Sequence, residues 1–309
     1  MERIIPVADL KKAVDEAYEA FKDEKMGEVN PRVEGADAKN FGISVALVDG
    51  TTYDKGDADV KFPLGSIVKI PIHSILLEQY GKAELMKKAG ADITNPDYQK
   101  EKKPKTCVSS YGIRSVSAIQ PTGDPESKWN ILENRMIDMM GEAPELDEKL
   151  YKSQKAAATA ENVENTIADA GYYLYDDAAL SIDMYLKAQA MNADTRMLAK
   201  MGATIAADGF NPFTKKNVFD GELSSQIVSY MADRGPHKLK KAWFLATGIP
   251  AKSGFGGGIV AVLPGVMSVA VYSPEMNKED VSIKGIKVLE YISNKLGINV
   301  FGSAKITFK

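Results

Sequence analysis

Ser66 and Lys69, in the run Phe62-Pro63-Leu64-Gly65-Ser66-Ile67-Val68-Lys69, stand three positions apart. On a helix that spacing brings a hydroxyl and an amine to one face. Serine is a poor nucleophile near neutral pH and needs an adjacent base. A partly buried lysine, whose ammonium form is destabilised, can be that base. The pair therefore holds the parts for attack by a serine on a carbonyl carbon. Ser-x-x-Lys also arises by chance, as an ordinary helix surface, in most chains of this size. What raises this match is a partner far downstream, Lys252-Ser253-Gly254-Phe255-Gly256-Gly257-Gly258, which runs into an apolar strand. Alone, that segment reads as a flexible or phosphate-binding loop, although no Walker lysine followed by Ser or Thr comes after it.

Other chemistries find little material. Histidine occurs only at His73 and His237, without clustered cysteines or a short His-x-x-x-His spacing, so no zinc site is expected. His73 follows Ser66 by about two helical turns, too far for direct contact, whereas His237 stays open as a triad member. The single cysteine, Cys107, rules out an internal disulfide framework, fits a reducing compartment and reads as a plain core or loop residue. A net charge of -3 gives no reason to expect nucleic acid or an anionic membrane as partner. The segment Met1-Glu2-Arg3-Ile4-Ile5-Pro6 lacks the basic and apolar regions of a signal peptide. No window approaches the roughly 18 consecutive apolar residues of a membrane span, so the expected location is the cytoplasm.

The 309 residues, 44% hydrophobic and 26% charged, suffice for one large soluble domain or two intimate subdomains. Leu10, Val14, Ala17 and Phe21 predict an amphipathic helix over 9–24 with Asp9 as N-cap. Phe41 to Val48, the turn pair Asp49-Gly50 and Thr51-Thr52-Tyr53 predict a hairpin. After Ser66, Ile67, Ile70, Ile75, Leu76 and Leu77 predict a buried helix ending at Gly81, with Pro71 in tension unless it falls in the first turn. Residues 91–117, with Pro96, Pro104 and several lysines and serines, read as a surface loop or insertion. The stretch 145–240 has helical spacing, with a start at Asp194-Thr195-Arg196 and a stop at Gly209-Phe210-Asn211-Pro212. Two apolar strands joined at Gly265 and a helix over 281–297 close the chain. The expected fold class is α/β (α+β): an antiparallel sheet flanked by helices, with an inserted helical subdomain. Residues 1–64 and 245–309 would form the sheet part and 65–244 the helical part, with the insertion at 91–117.

The chain resembles the bacterial serine-dependent glutaminases, which share the β-lactamase and transpeptidase fold, from about Gly27 to Phe301. The resemblance rests on Phe41-Gly42-Ile43-Ser44-Val45 with Val48-Asp49-Gly50, on Gly56-Asp57-Ala58-Asp59, and on Phe62, Ser66, Ile67 and Lys69. Pro121-Thr122-Gly123-Asp124-Pro125 and Pro250-Ala251-Lys252-Ser253-Gly254 with Gly256-Gly257-Gly258-Ile259 complete it. It implies that Ser66 attacks the amide carbon while Lys69 takes its proton. Tyr185, a core or interface tyrosine if read alone, would assist proton transfer or hold the substrate. The backbone N–H groups of Ser66 and Phe255 would form the oxyanion hole. Lys252, with Ser253 beside it, would supply positive potential. The resemblance also implies a small-molecule amide substrate, a homodimer or homotetramer, and no cofactor.

The departures fall in the substrate pocket. A family asparagine appears as Asp138, a glutamate as Gln154, and an asparagine as Glu161, with Asn162 one residue away. The tyrosine expected eighteen residues before the oxyanion residue is His237. Glutamine carries an α-ammonium and an α-carboxylate, and a pocket must pair both or lose several kcal/mol. Gln154 removes a partner for the ammonium, and acids at 138 and 161 would repel a carboxylate. Three readings follow: a glutaminase, a related Ser-Lys amidase or esterase with a different acyl group, and a non-catalytic binding descendant. A β-lactam-hydrolysing activity is disfavoured by the lack of a Ser-x-Asn motif between the lysine motifs and of an export signal.

Overall fold

The computed structural model describes residues 2–33, 35–88, 106–236, 239–302 and 305–308. At its centre the strands Thr52–Gly56, Gly42–Leu47, Met267–Tyr272, Gly258–Leu263 and Ala251–Ser253 lie side by side, in that order, as an antiparallel sheet. The register sets Ile43 against Val271 and Val45 against Val269. Every residue of the three inner strands is buried, which is why they read as continuous apolar runs: helices cover both faces. The helices, in chain order, are α1 (Val7–Phe21), α2 (Lys69–Lys88), α3 (Ser110–Ser117), α4 (Pro125–Met140), α5 (Glu148–Ala160) and α6 (Val163–Asp169). They continue with α7 (Ala178–Gln189), α8 (Thr195–Ala206), α9 (Ser224–Arg234), α10 (Lys240–Ala246) and α11 (Ile283–Leu296).

Strand periodicity divides the core. Ile43, Val45 and Leu47 pack with Leu10 and Val14 of α1 and Val288 and Ile292 of α11. Ala46, Val260, Val262 and Ala270 turn to the opposite face, where Met197, Met201 and Ile205 of α8 join them. Contact there is close: a Cβ on Gly202 of α8 would fall 2.0 Å from Ser268 Oγ. The fold class expected from the sequence is thus what the chain forms, with most of its helices between the N-terminal and C-terminal strands.

Several local expectations change. α1 is N-capped by Pro6 rather than Asp9, which instead lies in the first turn, where its charge suits the helix dipole. Ser66 is not on an α-helix: Gly65–Val68 forms a 3-10 turn, and α2 starts at Lys69. Pro71 consequently sits in the first turn of α2, where a missing N–H costs nothing, and its tension with the helix disappears. Gly81, with φ of 68° and ψ of 169°, breaks α2 where the sequence placed its end. The segment 91–117 is corrected in its second part. Residues 91–105 lie outside the described residues, but Ser110–Ser117 is a helix, buried from Gly112 to Ser117 and packed on α7 and α2. Its Ile113 and Val116 give too short an apolar pattern to stand out in a polar stretch.

Candidate active site

The segment around Ser66 and the glycine-rich loop meet face to face. A Cβ on Gly254 would lie 2.2 Å from the Leu64 carbonyl oxygen, and one on Gly256 2.1 Å from that of Pro63. One on Gly258 would fall 2.4 Å from the Phe62 ring, and one on Gly65, whose φ is +52°, 2.9 Å from the Phe255 nitrogen. Only glycine permits this approach of two backbones. Phe62 stacks on Tyr272 of the sheet with ring centroids 4.2 Å apart, which anchors the segment. The Phe255 main chain is so held beside Ser66, and its side chain packs with Leu150 of α5 and Ala190 after α7.

Around Ser66 lies a buried group of hydroxyls. Tyr185, wholly buried on α7, has its hydroxyl close to those of Ser66 and Ser109 and accepts from Gln189 Nε2 at 3.2 Å. Lys69 Nζ donates to Ser109 Oγ at 2.9 Å. Ser109 is the N-cap of α3 and accepts the Gly112 N–H at 3.2 Å. Gly112 makes room for the tyrosine, since a Cβ there would fall 2.1 Å from Tyr185 Cζ. Burial, and secondarily the Arg234 guanidinium, lowers the Lys69 ammonium from 10.5 to about 7. Burial pushes the Tyr185 phenol well above its ordinary range, against the hydrogen bonds from its neighbours.

Lys252 is buried at the same centre, and its Nζ donates to the Ser253 carbonyl at 3.0 Å. Burial first, then the charges of Lys69 and Arg234, drives its ammonium well below the usual range. Full charge on both lysines at once is therefore opposed, and the positive potential expected of Lys252 is weaker than an exposed lysine would give. Ser253 Oγ is buried without a partner. Tyr230 of α9 lines the same region, stacked on His73 at 4.0 Å and buried with its hydroxyl unpartnered. His73 is held neutral, its pKa lowered to about 3 by burial and Arg234.

The residues expected to recognise substrate separate. Gln154 shares a face of α5 with Leu150, which packs on Phe255, and with Ala158, and both its amide atoms are buried without partners. Asp138 is engaged elsewhere, its carboxylate accepting from Lys216 Nζ at 2.6 Å, so the repulsion expected of it is offset. Glu161 accepts the Cys107 N–H at 2.9 Å and so braces the approach to α3. Cys107 is exposed in the loop before α3, one of the two places the sequence left open, and partial desolvation of its thiol together with Glu161 raises its pKa to about 11. His237 lies outside the described residues. Sequence reasoning missed Ser109, hidden in a stretch read as a loop, and Tyr230, which nothing in its own segment marks. Among the described residues there is no cluster of His, Cys, Asp and Glu able to hold a metal ion and no helix long and apolar enough to cross a membrane.

This architecture is that of the β-lactamase-like hydrolases. A solved structure described as the probable glutaminase ybaS superposes with a TM-score of 0.87 at 28% identity, covering 97% of this chain and 100% of that one. The Bacillus subtilis glutaminase YbgJ, solved as a covalent complex with 5-oxo-L-norleucine formed by reaction with 6-diazo-5-oxo-L-norleucine, superposes at 0.78 with 20% identity over 95% of this chain and 99% of its own, a likeness of fold. The glutaminase family model matches residues 25–301. The glutaminase of Bacteroides fragilis is 34% identical over 99% of both chains, and glutaminase 1 of Shigella flexneri 30% identical over 94% of this chain and 97% of its own. The chain belongs to the glutaminase family and is an amidohydrolase.

Proposed function

We propose that this protein hydrolyses L-glutamine to L-glutamate and ammonia through an acyl-enzyme on Ser66. The observation that carries the reading is the buried set of Ser66, Lys69 and Tyr185 beside the main chain of Phe255. With a pKa of about 7, Lys69 is substantially neutral at physiological pH and able to accept the Ser66 proton. Ser66 Oγ attacks the amide carbon, and the Ser66 and Phe255 N–H groups meet the developing oxyanion. The C–N bond breaks, ammonia leaves protonated, and water then hydrolyses the ester with Lys69 again as base. Tyr185, held protonated by burial, donates and orients. Gln154 supports a pocket for the polar end of the substrate.

Intact-protein mass spectrometry after incubation with 6-diazo-5-oxo-L-norleucine, the reagent used on YbgJ, tests the nucleophile. One adduct on the native chain and none on Ser66→Ala is expected; equal labelling of both would sink the assignment. A second reading, an amidase with another acyl group, is favoured by the uncharged Gln154 where the resemblance leads one to expect a carboxylate. A panel of primary amides decides: strong preference for L-glutamine excludes it. The same proposal includes a homodimer or homotetramer acting in the cytoplasm, to be checked by light scattering and cell fractionation.

A further inference from the structure

An amino-acid amide brings a carboxylate into the site, and a carboxylate taken out of water needs a charged or hydrogen-bonding partner. Most cations near Ser66 are poor partners for it. Lys69 donates to Ser109 and, on the proposed mechanism, must be neutral to act as base. Lys252 is buried and donates to the Ser253 carbonyl at 3.0 Å. Arg32 lies 4.7 Å over the Phe255 ring, but its guanidinium meets Asp280 at 3.0 Å on the surface. Arg234, the last residue of α9, is different. A guanidinium keeps its charge at every working pH and presents a planar fork that matches a carboxylate.

Packing brings Arg234 to the site. α9 lies against α2 and against the strand Ala251–Ser253 that carries Lys252. Tyr230 of α9 stacks on His73 with ring centroids 4.0 Å apart, and His73 stands one turn after Lys69 on α2. One turn after Tyr230, Arg234 lies over the ring of Tyr111, 4.6 Å from its centroid. The same ring stacks with Tyr230 at 6.3 Å. Tyr111 follows two residues after Ser109, the hydroxyl that accepts from Lys69 at 2.9 Å. Two side chains from one face of α9 therefore clasp a ring beside the Lys69 partner. Tyr111 fixes the plane of the guanidinium, so little side-chain freedom is lost when a carboxylate meets it. The exposed Asp233 takes its Nε at 2.9 Å, and a second carboxylate would meet the Nη pair. Tyr230 Oη is buried with no partner, a donor in want of an acceptor. The charge of Arg234 is felt by Lys69, His73 and Lys252, as a guanidinium turned inward requires.

We propose that Arg234 is the carboxylate anchor of this site, with the Tyr230 hydroxyl donating to the same group, so that the enzyme takes amides bearing a free α-carboxylate and rejects those in which it is masked. The inference rests on the glutaminase reading above. It assigns the two ends of the substrate to different elements, the scissile amide to Ser66 and the carboxylate to α9.

The test compares L-glutamine with its α-N-methylamide, which lacks the negative charge at nearly the same size, by the ammonia released from the side chain. Native protein should favour L-glutamine at least about 30-fold in kcat/KM. Arg234→Gln should lower kcat/KM for L-glutamine about 30-fold, chiefly through KM, and change the N-methylamide by no more than about threefold. Arg234→Lys keeps the charge without the fork and should cut the loss to about fivefold. Tyr230→Phe should raise KM for L-glutamine about fivefold at unchanged stability, and it carries the test should Arg234→Gln fail to fold. Equal losses on both substrates, a loss confined to kcat, or a native enzyme indifferent to the masked carboxylate each overturn the anchor. Calorimetry of L-glutamate binding to Ser66→Ala reads it without turnover. Adding Arg234→Gln should weaken Kd about 30-fold, and unchanged binding overturns the proposal. If Ser66→Ala still hydrolyses L-glutamine, the acyl-enzyme reading alone falls. If native protein ignores L-glutamine and cleaves only uncharged amides, the glutaminase reading falls and takes the anchor with it.

Discussion

Replacing Lys69 by methionine should abolish activity and make the protein more stable. Burial, with a smaller contribution from Arg234, lowers this ammonium from 10.5 to about 7. At about 1.4 kcal/mol per pH unit, that fall is a folding cost on the order of 5 kcal/mol below pH 7, and roughly 4 kcal/mol at about pH 7.5. The sign follows from the depressed folded value. Above 10.5 the amine is neutral in both states and the cost is absent; it grows as pH falls toward 7 and is constant below. Methionine removes the ionisable group at similar volume but also removes the hydrogen bond to Ser109, worth about 1 kcal/mol. A net gain of about 3 kcal/mol remains, which at about 2 cal/mol/K per residue in a chain of 309 raises Tm by about 5 °C. Thermal unfolding of the native and Lys69→Met proteins between pH 6 and about pH 10.5 measures it. The gain should hold below about pH 7 and shrink from there as pH rises toward 10.5. A Tm difference of opposite sign, or one independent of pH, would refute the reasoning and with it a Lys69 whose charge is opposed by burial.

Activity itself should carry the same signature: log kcat/KM rises with unit slope up to about pH 7, where Lys69 becomes neutral, and then levels off, because burial keeps Tyr185 protonated across the working range. A rate already flat from about pH 5 upward would exclude Lys69 as base. Gly112→Ala introduces a methyl 2.1 Å from Tyr185 Cζ, so kcat should fall at least about tenfold and stability by about 1–3 kcal/mol, read by steady-state kinetics and urea unfolding. Gln154→Glu supplies a carboxylate for an α-ammonium and should lower KM for L-glutamine about tenfold while leaving kcat near native; a raised KM would remove position 154 from the substrate pocket.

What the sequence disclosed was mostly what neighbouring residues decide together. The hairpin around Asp49-Gly50 formed as expected, with Thr51 N bonded to Asp49 Oδ1 at 2.7 Å, because turn chemistry is local. Ser66, Lys69 and the loop at 252–258 were legible because each is a compact segment whose residue types are unusual together. Ser109 was not legible: its role comes from capping a short helix whose register is fixed by packing on α7, long after Ser66 in the chain. Tyr230 escaped for a different reason. Nothing in the residues around Tyr230 marks it, and only the packing of α9 on α2 stacks it on His73. Asp138 misled because charge alone says nothing about the Lys216 ammonium that meets it.

The seam between the Ser66 segment and the glycine loop constrains how such an enzyme could be altered or inhibited. At Gly65, Gly254, Gly256 and Gly258 the space of a side chain is already taken by backbone or by the rings of Phe62 and Phe255. A designer has no side chain there to exchange, so this close approach cannot be retuned by point substitution without prising two segments apart. Room for change lies in α5 and α9, where Gln154 and Tyr230 hold polar atoms without partners. On the proposed mechanism reactivity and selectivity would be carried by separate parts of the molecule: a compound reaching only the seam would meet mostly main chain, and discrimination among amides would be won on those two helices.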